Sequence, residues 1–356
     1  MRAPLSPLLL CLALGACQPP AHAPTTPSPE PASPPVTAAP PEPEPAPVAG
    51  PRPMRIAFGS CNDLDRPQKL WGHIAALEPD LWIWLGDNIY ADTTDMAKMQ
   101  LLYDRTKAEP GYARLRKLTR VVGTWDDHDY GHNDAGKEYP KRKEAQRLLL
   151  DFLDEPQGSP RRAQKGVYAS YDIGTGPRSL RVIVLDTRYH RDPPGPNADV
   201  LGEAQWAWLQ DQLAGSPAAV NLVVSSIQLV ATTHPHEKWA NFPAARQRML
   251  ALIGASGARN VVVISGDRHY AELSRAPVGS DDTMLYDLTS SSLSRPWDED
   301  PKEANPDRVG DYYWHVNFGL LELDWAAGEL RMQVHGEDGQ PKIQHSIPLE
   351  PVSDGF

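Results

Sequence analysis

The chain has 356 residues, 46 of them acidic and 35 basic, for a net charge of −11. Charged residues make up 23 % and hydrophobic ones 40 %, an ordinary globular balance that excludes a wholly disordered chain and a multi-span membrane protein. A long nucleic-acid groove, which needs a basic stripe, is not expected on so acidic a chain. An anionic ligand therefore has to be attracted locally, by a metal ion or a well-placed Arg.

Met1-Arg2 gives a positive start, and residues 5–16 form an apolar run of signal-peptide length, too short to span a bilayer. The run ends in Leu14-Gly15-Ala16-Cys17, which resembles the lipobox of bacterial lipoproteins. Residues 1–16 are expected to be a signal peptide, Cys17 the lipidated residue, and the protein an exported one, held to a membrane of the bacterial cell envelope. In the alternative, an ordinary secretory signal, Cys17 is incidental, but export is shared. Fifteen of the 37 Pro fall in residues 18–53, while all ten Trp and all five Phe lie beyond. Residues 17–53 therefore read as a lipidated Cys and a Pro/Ala-rich tether, since such a stretch cannot bury enough apolar area to offset ordering. Residues 54–356 read as the folded domain. Of Cys11, Cys17 and Cys61, only Cys61 remains in it, so no internal disulfide can form; its thiol is either buried and inert or used chemically.

Strand and helix signals alternate along this domain. A β-type run at 55–59 is followed by a helix at 68–77. Leu81-Trp82-Ile83-Trp84-Leu85 has the continuous apolarity of a strand covered on both faces. A helix over 101–118, broken at Pro110-Gly111, precedes a strand at 120–125. The helix at 141–153 places Ala145, Leu149 and Phe152 on one face, and 167–172 with 180–186 form a hairpin across a Gly-rich turn. Helices at 203–213 and 244–253 then alternate with strands at 221–230 and 260–265, after which only strands follow, at 270–275, 284–288, 318–325 and 330–334.

Four of these strands end in polar clusters: Cys61-Asn62, Asp87-Asn88, Asp127-His128 and Asp267-Arg268-His269. Ligands of open α/β sheets bind beyond the carboxyl ends of the strands, so adjacent strands would bring the clusters to one edge. Asp and Asn are also common turn residues, which explains any single cluster but not four. Asp87, Asp127 and Asp267 offer hard oxygens suited to Ca, Mn or Fe(III), His269 an imidazole and Asn133 a carbonyl oxygen. Cys61 would bind as thiolate, and Tyr90, three residues after Asp87, could reach the same ion. A Cys-rich structural zinc site is excluded, because it needs several Cys and only Cys61 remains in the domain.

Gly59-Ser60-Cys61-Asn62, Leu85-Gly86-Asp87-Asn88-Ile89-Tyr90-Ala91-Asp92 and Trp125-Asp126-Asp127-His128-Asp129-Tyr130-Gly131-His132-Asn133-Asp134 resemble successive blocks of the alkaline phosphatase D (PhoD-like) metallophosphatases. Asp186-Thr187-Arg188, residues 237–243 and Ser265-Gly266-Asp267-Arg268-His269 resemble later ones, so the likeness runs over about 55–270. Relatedness to calcineurin-like metallophosphoesterases implies an α/β fold, a four-layer α-β-β-α sandwich of two mixed sheets. The resemblance implies two or more ions, with Asp87 bridging. Cys61, Tyr90 and His269 would complete an Fe(III)-type site, Tyr90 matching the tyrosinate of purple acid phosphatases. Asp127, Asn133 and Asp267 would hold Ca, other divalent ions being possible.

By the same resemblance His128 is the catalytic residue, steadying the transition state or protonating the leaving oxygen. The resemblance implies a phosphate-ester substrate, which two ions would help hydrolyse by clamping the phosphoryl group and activating water. Arg188 is expected to hold a non-bridging oxygen, its alternative being a structural salt bridge. Arg268 faces outward or pairs with an acid, and Trp239 walls the pocket or fills the core. Asp267 stands where the wider superfamily commonly has His. The superfamily's middle metal-binding His corresponds to the Ser226-Ile227-Gln228 region, which favours Gln228 near the site, with His234 and His236 as substitutes. An extra N-terminal β-domain, frequent in narrower members, is not expected within the residues after the tether. The same metal ligands would serve a phosphodiesterase or phospholipase-D-like hydrolase. A non-catalytic surface lipoprotein is the third reading, against which stand Cys61, Asp87, Asp127, His128 and His269.

Overall fold

The structure is a computed structural model that describes residues 52–279 and 283–350; the signal segment, Cys17 and nearly all of the tether lie outside them. Strands β1 (Met54–Gly59), β2 (Leu81–Leu85) and β3 (Arg120–Thr124) alternate with helices α1 (Trp71–Ala76), α2 (Met96–Ala108) and α3 (Pro110–Leu118). The single turn α4 (Asp127–Tyr130), α5 (Arg142–Phe152) and the hairpin β4 (Ala169–Ile173) and β5 (Leu180–Val184) follow. Next come α6 (Glu203–Leu213), β6 (Val220–Val224), α7 (Pro243–Ala255) and β7 (Val261–Ser265). The remaining strands are β8 (Ala271–Val278), β9 (Thr283–Ser290), β10 (Phe318–Asp324), β11 (Glu329–His335) and β12 (Pro341–Pro348).

Two mixed six-stranded sheets result, ordered β12-β11-β10-β1-β2-β3 and β4-β5-β6-β7-β9-β8. β1, β2 and β3 run parallel, as do β5, β6, β7 and β9, while β10 lies antiparallel to β1. Side-chain alternation dictates the layers. Along β2, Leu81, Ile83 and Leu85 enter a core between the sheets, where they meet Val182, Leu222 and Val262. Trp82 and Trp84 point the other way, into a core under α1, α2, α3 and α5. Their rings stand 5.3 and 5.6 Å from Trp71, each edge-on. A third core joins Ile183, Val223 and Val263 to Trp206, Leu209 and Met249 of α6 and α7. The expected four-layer α-β-β-α sandwich is what forms. No helix among the described residues is long and apolar enough to cross a membrane.

Three local expectations shift. The 101–118 helix starts at Met96, where the Asp95 carboxylate caps the Ala97 and Lys98 amides at 2.9 and 3.3 Å. It breaks where expected, and Glu109 caps α3 by accepting from Tyr112 N at 2.6 Å. The 221–230 strand stops at Val224. Beyond it Ile227, Leu229 and Val230 are buried without a ladder; the Leu229 and Val230 amides donate to the Asp287 carboxylate at 2.8 and 3.1 Å. β12 has no apolar signature, because as an edge strand it is mostly open to water.

Candidate metal centre

Cys61, Asp87 and Asp127 follow the carboxyl ends of β1, β2 and β3, which are neighbours in the first sheet. Asp267 and His269 follow β7 of the second sheet. The clusters therefore meet across the ends of two sheets, where the sequence suggested a single edge. Three of the four strand exits make a sharp left-handed turn, with φ of 58° at Cys61, 48° at Asp87, 67° at Asp267 and 57° at His269. Non-Gly residues avoid this region unless their surroundings enforce it, and such strain concentrates at functional sites.

Three donor groups form, each with ligand atoms within 4.8 Å of one another: Cys61, Asp87 and His269; Asp87, Asp127 and His128; Asp87, Asp126, Asp127 and Asp267. Asp87 belongs to all three. Its Oδ2 lies 3.5 Å from Cys61 Sγ and accepts from Tyr90 OH at 3.3 Å, while Tyr90 OH is 3.1 Å from His269 Nε2. The His128 amide reaches Asp87 Oδ1 at 3.3 Å and Asp127 Oδ1 at 2.9 Å. His128 Nδ1 sits 2.8 Å from each oxygen of Asp92.

Burial sets the electrostatics. It pushes the Cys61 thiol up to about 11, and lifts Asp87 and Asp267 well above the carboxylate range, with neighbouring acids adding to the shift. Asp126 rises to about 7 for the same first reason, although Arg188 opposes it. His269 falls to about 3 through burial and then the Arg295 charge, so its ring is neutral and its lone pair free. Among the four clustered carboxyls Asp127 alone goes down: burial is outweighed by Arg188, His128 and two amide hydrogen bonds. So many acids packed around one basic partner cannot all ionise as protein alone. Their oxygens with one sulfur, one phenol and one imidazole form a donor set that fits cations of charge two or more.

The other expected residues are placed as follows. Asn133 is exposed on the lip of a cavity of about 270 Å3, walled by Asp127, His128, Asp267, Arg268 and Trp297. Two expected substrate contacts are not on that wall. Arg188 is wholly buried, with Nε 2.6 Å from Asp126 Oδ1 and Nη2 2.5 Å from Glu237 Oε2, which is the salt-bridge alternative. Gln228 is also buried, donating through Nε2 to Glu272 Oε1 at 2.7 Å and Thr289 Oγ1 at 2.8 Å, because the chain leaves β6 early and folds it inward. Trp239 fills the third core. Arg268 pairs with Glu303. His236 lies on the cavity lip, its ring 5.3 Å from Trp297, whereas His234 is buried with neither ring nitrogen hydrogen-bonded.

Three residues not foreseen hold the donors in place. Asp129 accepts from the amides of Asp87 at 3.2 Å, Asn88 at 3.2 Å and Asp126 at 2.6 Å, tying the turn after β2 to the turn after β3. Ser291 Oγ is 3.1 Å from Cys61 Sγ and accepts from the Arg268 and His269 amides at 2.6 and 2.9 Å. Glu237 links Arg188 to Arg191. Asp129 and Glu237 lie inside blocks that carry the family resemblance, whereas Ser291 carries no sequence signal.

A sequence model described as PhoD-like phosphatase matches residues 56–334. Alkaline phosphatase D of Bacillus subtilis (strain 168) is 25 % identical over 322 residues, covering 74 % of this chain; the chain spans only 55 % of that protein's length. Among solved structures, PhoD superposes with a TM-score of 0.69 at 19 % identity over 87 % of this chain and 74 % of its own. A dimetal phosphatase from Danio rerio gives 0.54 at 12 % identity, covering 84 % of this chain and all of its own. From the match over 56–334 and the shared layers, this chain belongs to the PhoD-like phosphatase family.

Proposed function

We propose that the protein is an exported metal-dependent hydrolase of phosphate esters, tethered to a membrane of the cell envelope through Cys17 and the Pro-rich segment. The observation that carries the catalytic reading is the membership of Asp87 in all three donor groups, the arrangement a bridging carboxylate requires. In this reading Asp87 with Cys61, Tyr90 and His269 would hold an Fe(III)-type ion, and Asp87 with Asp127, Asp267 and Asn133 would hold Ca. Ions held there would clamp the phosphoryl oxygens and acidify the attacking water. His128 donates to the leaving oxygen from Nε2, since Nδ1 is engaged by Asp92. That general-acid step is worth a factor of about 10²–10⁴. Arg268 and Arg191 reach the cavity wall already paired with Glu303 and Glu237, so in this reading the attraction for an anionic ester comes from the bound cations.

The test is product release from a chromogenic phosphomonoester and a phosphodiester by the chain as isolated, after chelation, and with Ca restored. Expected is hydrolysis that chelation abolishes and Ca recovers, with His128→Ala slower by at least about 10². The preferred ester decides between phosphatase and phosphodiesterase. No hydrolysis of either ester by metal-loaded protein would favour the non-catalytic reading, and full activity in His128→Ala would sink the general-acid role.

A further inference from the structure

A second cavity, of about 560 Å3, opens between α5, residues 157–165 and Tyr189, and has about twice the volume of the one at the donor cluster. The two share no wall residue. Lys143, Arg147, Arg162 and Lys165 line it, and no acid does, on a chain whose net charge is −11.

The wall has a fixed part and a free part. Arg162 is committed, with Nη1 2.8 Å from Asp151 Oδ1 and Nη2 2.6 Å from the Glu155 carbonyl. Gln146 is held as well, donating to the Gln164 carbonyl at 3.0 Å and accepting from Gly166 N at 3.2 Å. Lys143, Arg147 and Lys165 are exposed, and among the described residues none forms an ion pair or side-chain hydrogen bond. The nearby acids of α5 are already engaged, Glu144 by Lys141 at 3.2 Å and Asp151 by Arg162. Lys143 and Arg147, four apart, share a helix face where like charges repel rather than stabilise. Glu144, one turn from Arg147, offsets part of that repulsion from a distance, but among the described residues no acid pairs with either cation.

We propose that this cavity binds an anion carrying more than one phosphate group, either a soluble oligophosphate or the headgroups of an anionic lipid surface. Guanidinium and ammonium groups match phosphate oxygens, and three free cations around one concavity complement a ligand with several negative charges. The volume lies within the range of small-molecule sites. A compact basic pocket also differs from the stripe that a nucleic acid would need.

The experiment compares the full wild-type chain with Lys143→Gln/Arg147→Gln/Lys165→Gln, both metal-loaded and with the same N-terminal segment. Tripolyphosphate is titrated calorimetrically at about 50 mM and about 300 mM NaCl. Each protein is also cosedimented with phosphatidylcholine vesicles lacking or containing phosphatidylglycerol. Expected is a salt-sensitive binding step in wild type that weakens at least tenfold in the triple variant, while hydrolysis of a small phosphomonoester stays within twofold. Loss of the tripolyphosphate step alone identifies a soluble ligand; loss of the phosphatidylglycerol-dependent sedimentation alone identifies a lipid surface. Identical isotherms and identical sedimentation in the two proteins overturn the proposal. Should the triple variant lose its melting transition, Arg147→Glu alone replaces it in both measurements, where a tenfold weakening supports the site and unchanged binding overturns it.

Discussion

Replacing Asp87 by Asn should move stability in opposite directions with and without metal. In the donor cluster, Asp87, Asp126, Asp127 and Asp267 place carboxylate oxygens within 4.8 Å of one another. Two ionised carboxylates at that separation repel by about 3.5 kcal/mol at an effective dielectric of about 20. The metal-free protein relieves much of this by binding protons, as the raised Asp87 and Asp267 show. What remains at neutral pH, less the weak hydrogen bonds at Oδ2, leaves Asn an advantage of about 1–2 kcal/mol, or about 2–4 °C in Tm for a domain near this size. Asp87 has a folded pKa above its unfolded one, so its cost is absent at pH below about 4 and grows as pH rises towards the folded value. The Asn advantage in chelator should therefore widen from about pH 6 to about pH 9. With ions restored the order inverts, because wild type gains about 2.7 kcal/mol at a hundredfold excess over Kd and the variant loses a shared ligand. Differential scanning calorimetry of both proteins, with EDTA and with Ca, reads all four melting points. Asp87→Asn melting below wild type in EDTA at every pH, or a wild-type Tm indifferent to chelation, would refute the argument.

Trp84→Ala removes a fully buried ring that contacts Trp71 and Phe152 and donates Nε1 to Tyr112 OH at 2.9 Å. Denaturant melts should show a loss of about 3–5 kcal/mol, with activity per folded molecule unchanged. Gly319→Ala would place a Cβ 2.1 Å from Phe58 Cζ, at the last pair of the β1–β10 ladder. A drop of at least about 1–3 kcal/mol is expected, partly recovered by Phe58→Leu in the same chain. Glu303 is held down to about 2: burial opposes this, but His236 and Arg268 prevail. Since the folded value lies below the ordinary 4.5, its contribution is complete above about pH 4.5 and fades as pH falls towards 2. Acid titrations of wild type and Glu303→Gln should converge at the low end; parallel curves would refute the assignment.

What could be read from the sequence followed from elements whose signal is local. Leu81-Trp82-Ile83-Trp84-Leu85 announces a strand covered on both faces, and its end announces Asp87. The donors after β1, β2, β3 and β7 were legible because parallel strands expose their carboxyl ends together. Residues that act across the fold were not. Ser291 is one small residue in a run of serines, and nothing local says that it faces Cys61 from 230 positions away. The Asp129 anchor and the burial of Arg188 by Asp126 and Glu237 likewise depend on which turns become neighbours. The strand expected over 221–230 ran too far because an apolar run longer than its strand looks the same as a strand.

The partner of β1 has a consequence for when the domain can be completed. β1 opens the described chain, yet its antiparallel neighbour β10 pairs Met54 with Leu323 and Phe58 with Gly319. During synthesis from the N-terminus, β1 has β2 available early but waits for most of the chain to emerge before its other edge is covered. Cys61 hangs from the end of that strand and takes its Ser291 contact from the turn after β9. Pairings so distant in sequence close slowly, since the loop entropy is lost before the contacts form. A nascent or truncated chain ending before β10 therefore presents an open, hydrophobic strand edge and an unfinished donor set. Chaperone demand and proteolytic vulnerability should be greatest in that interval and fall sharply once the last three strands dock.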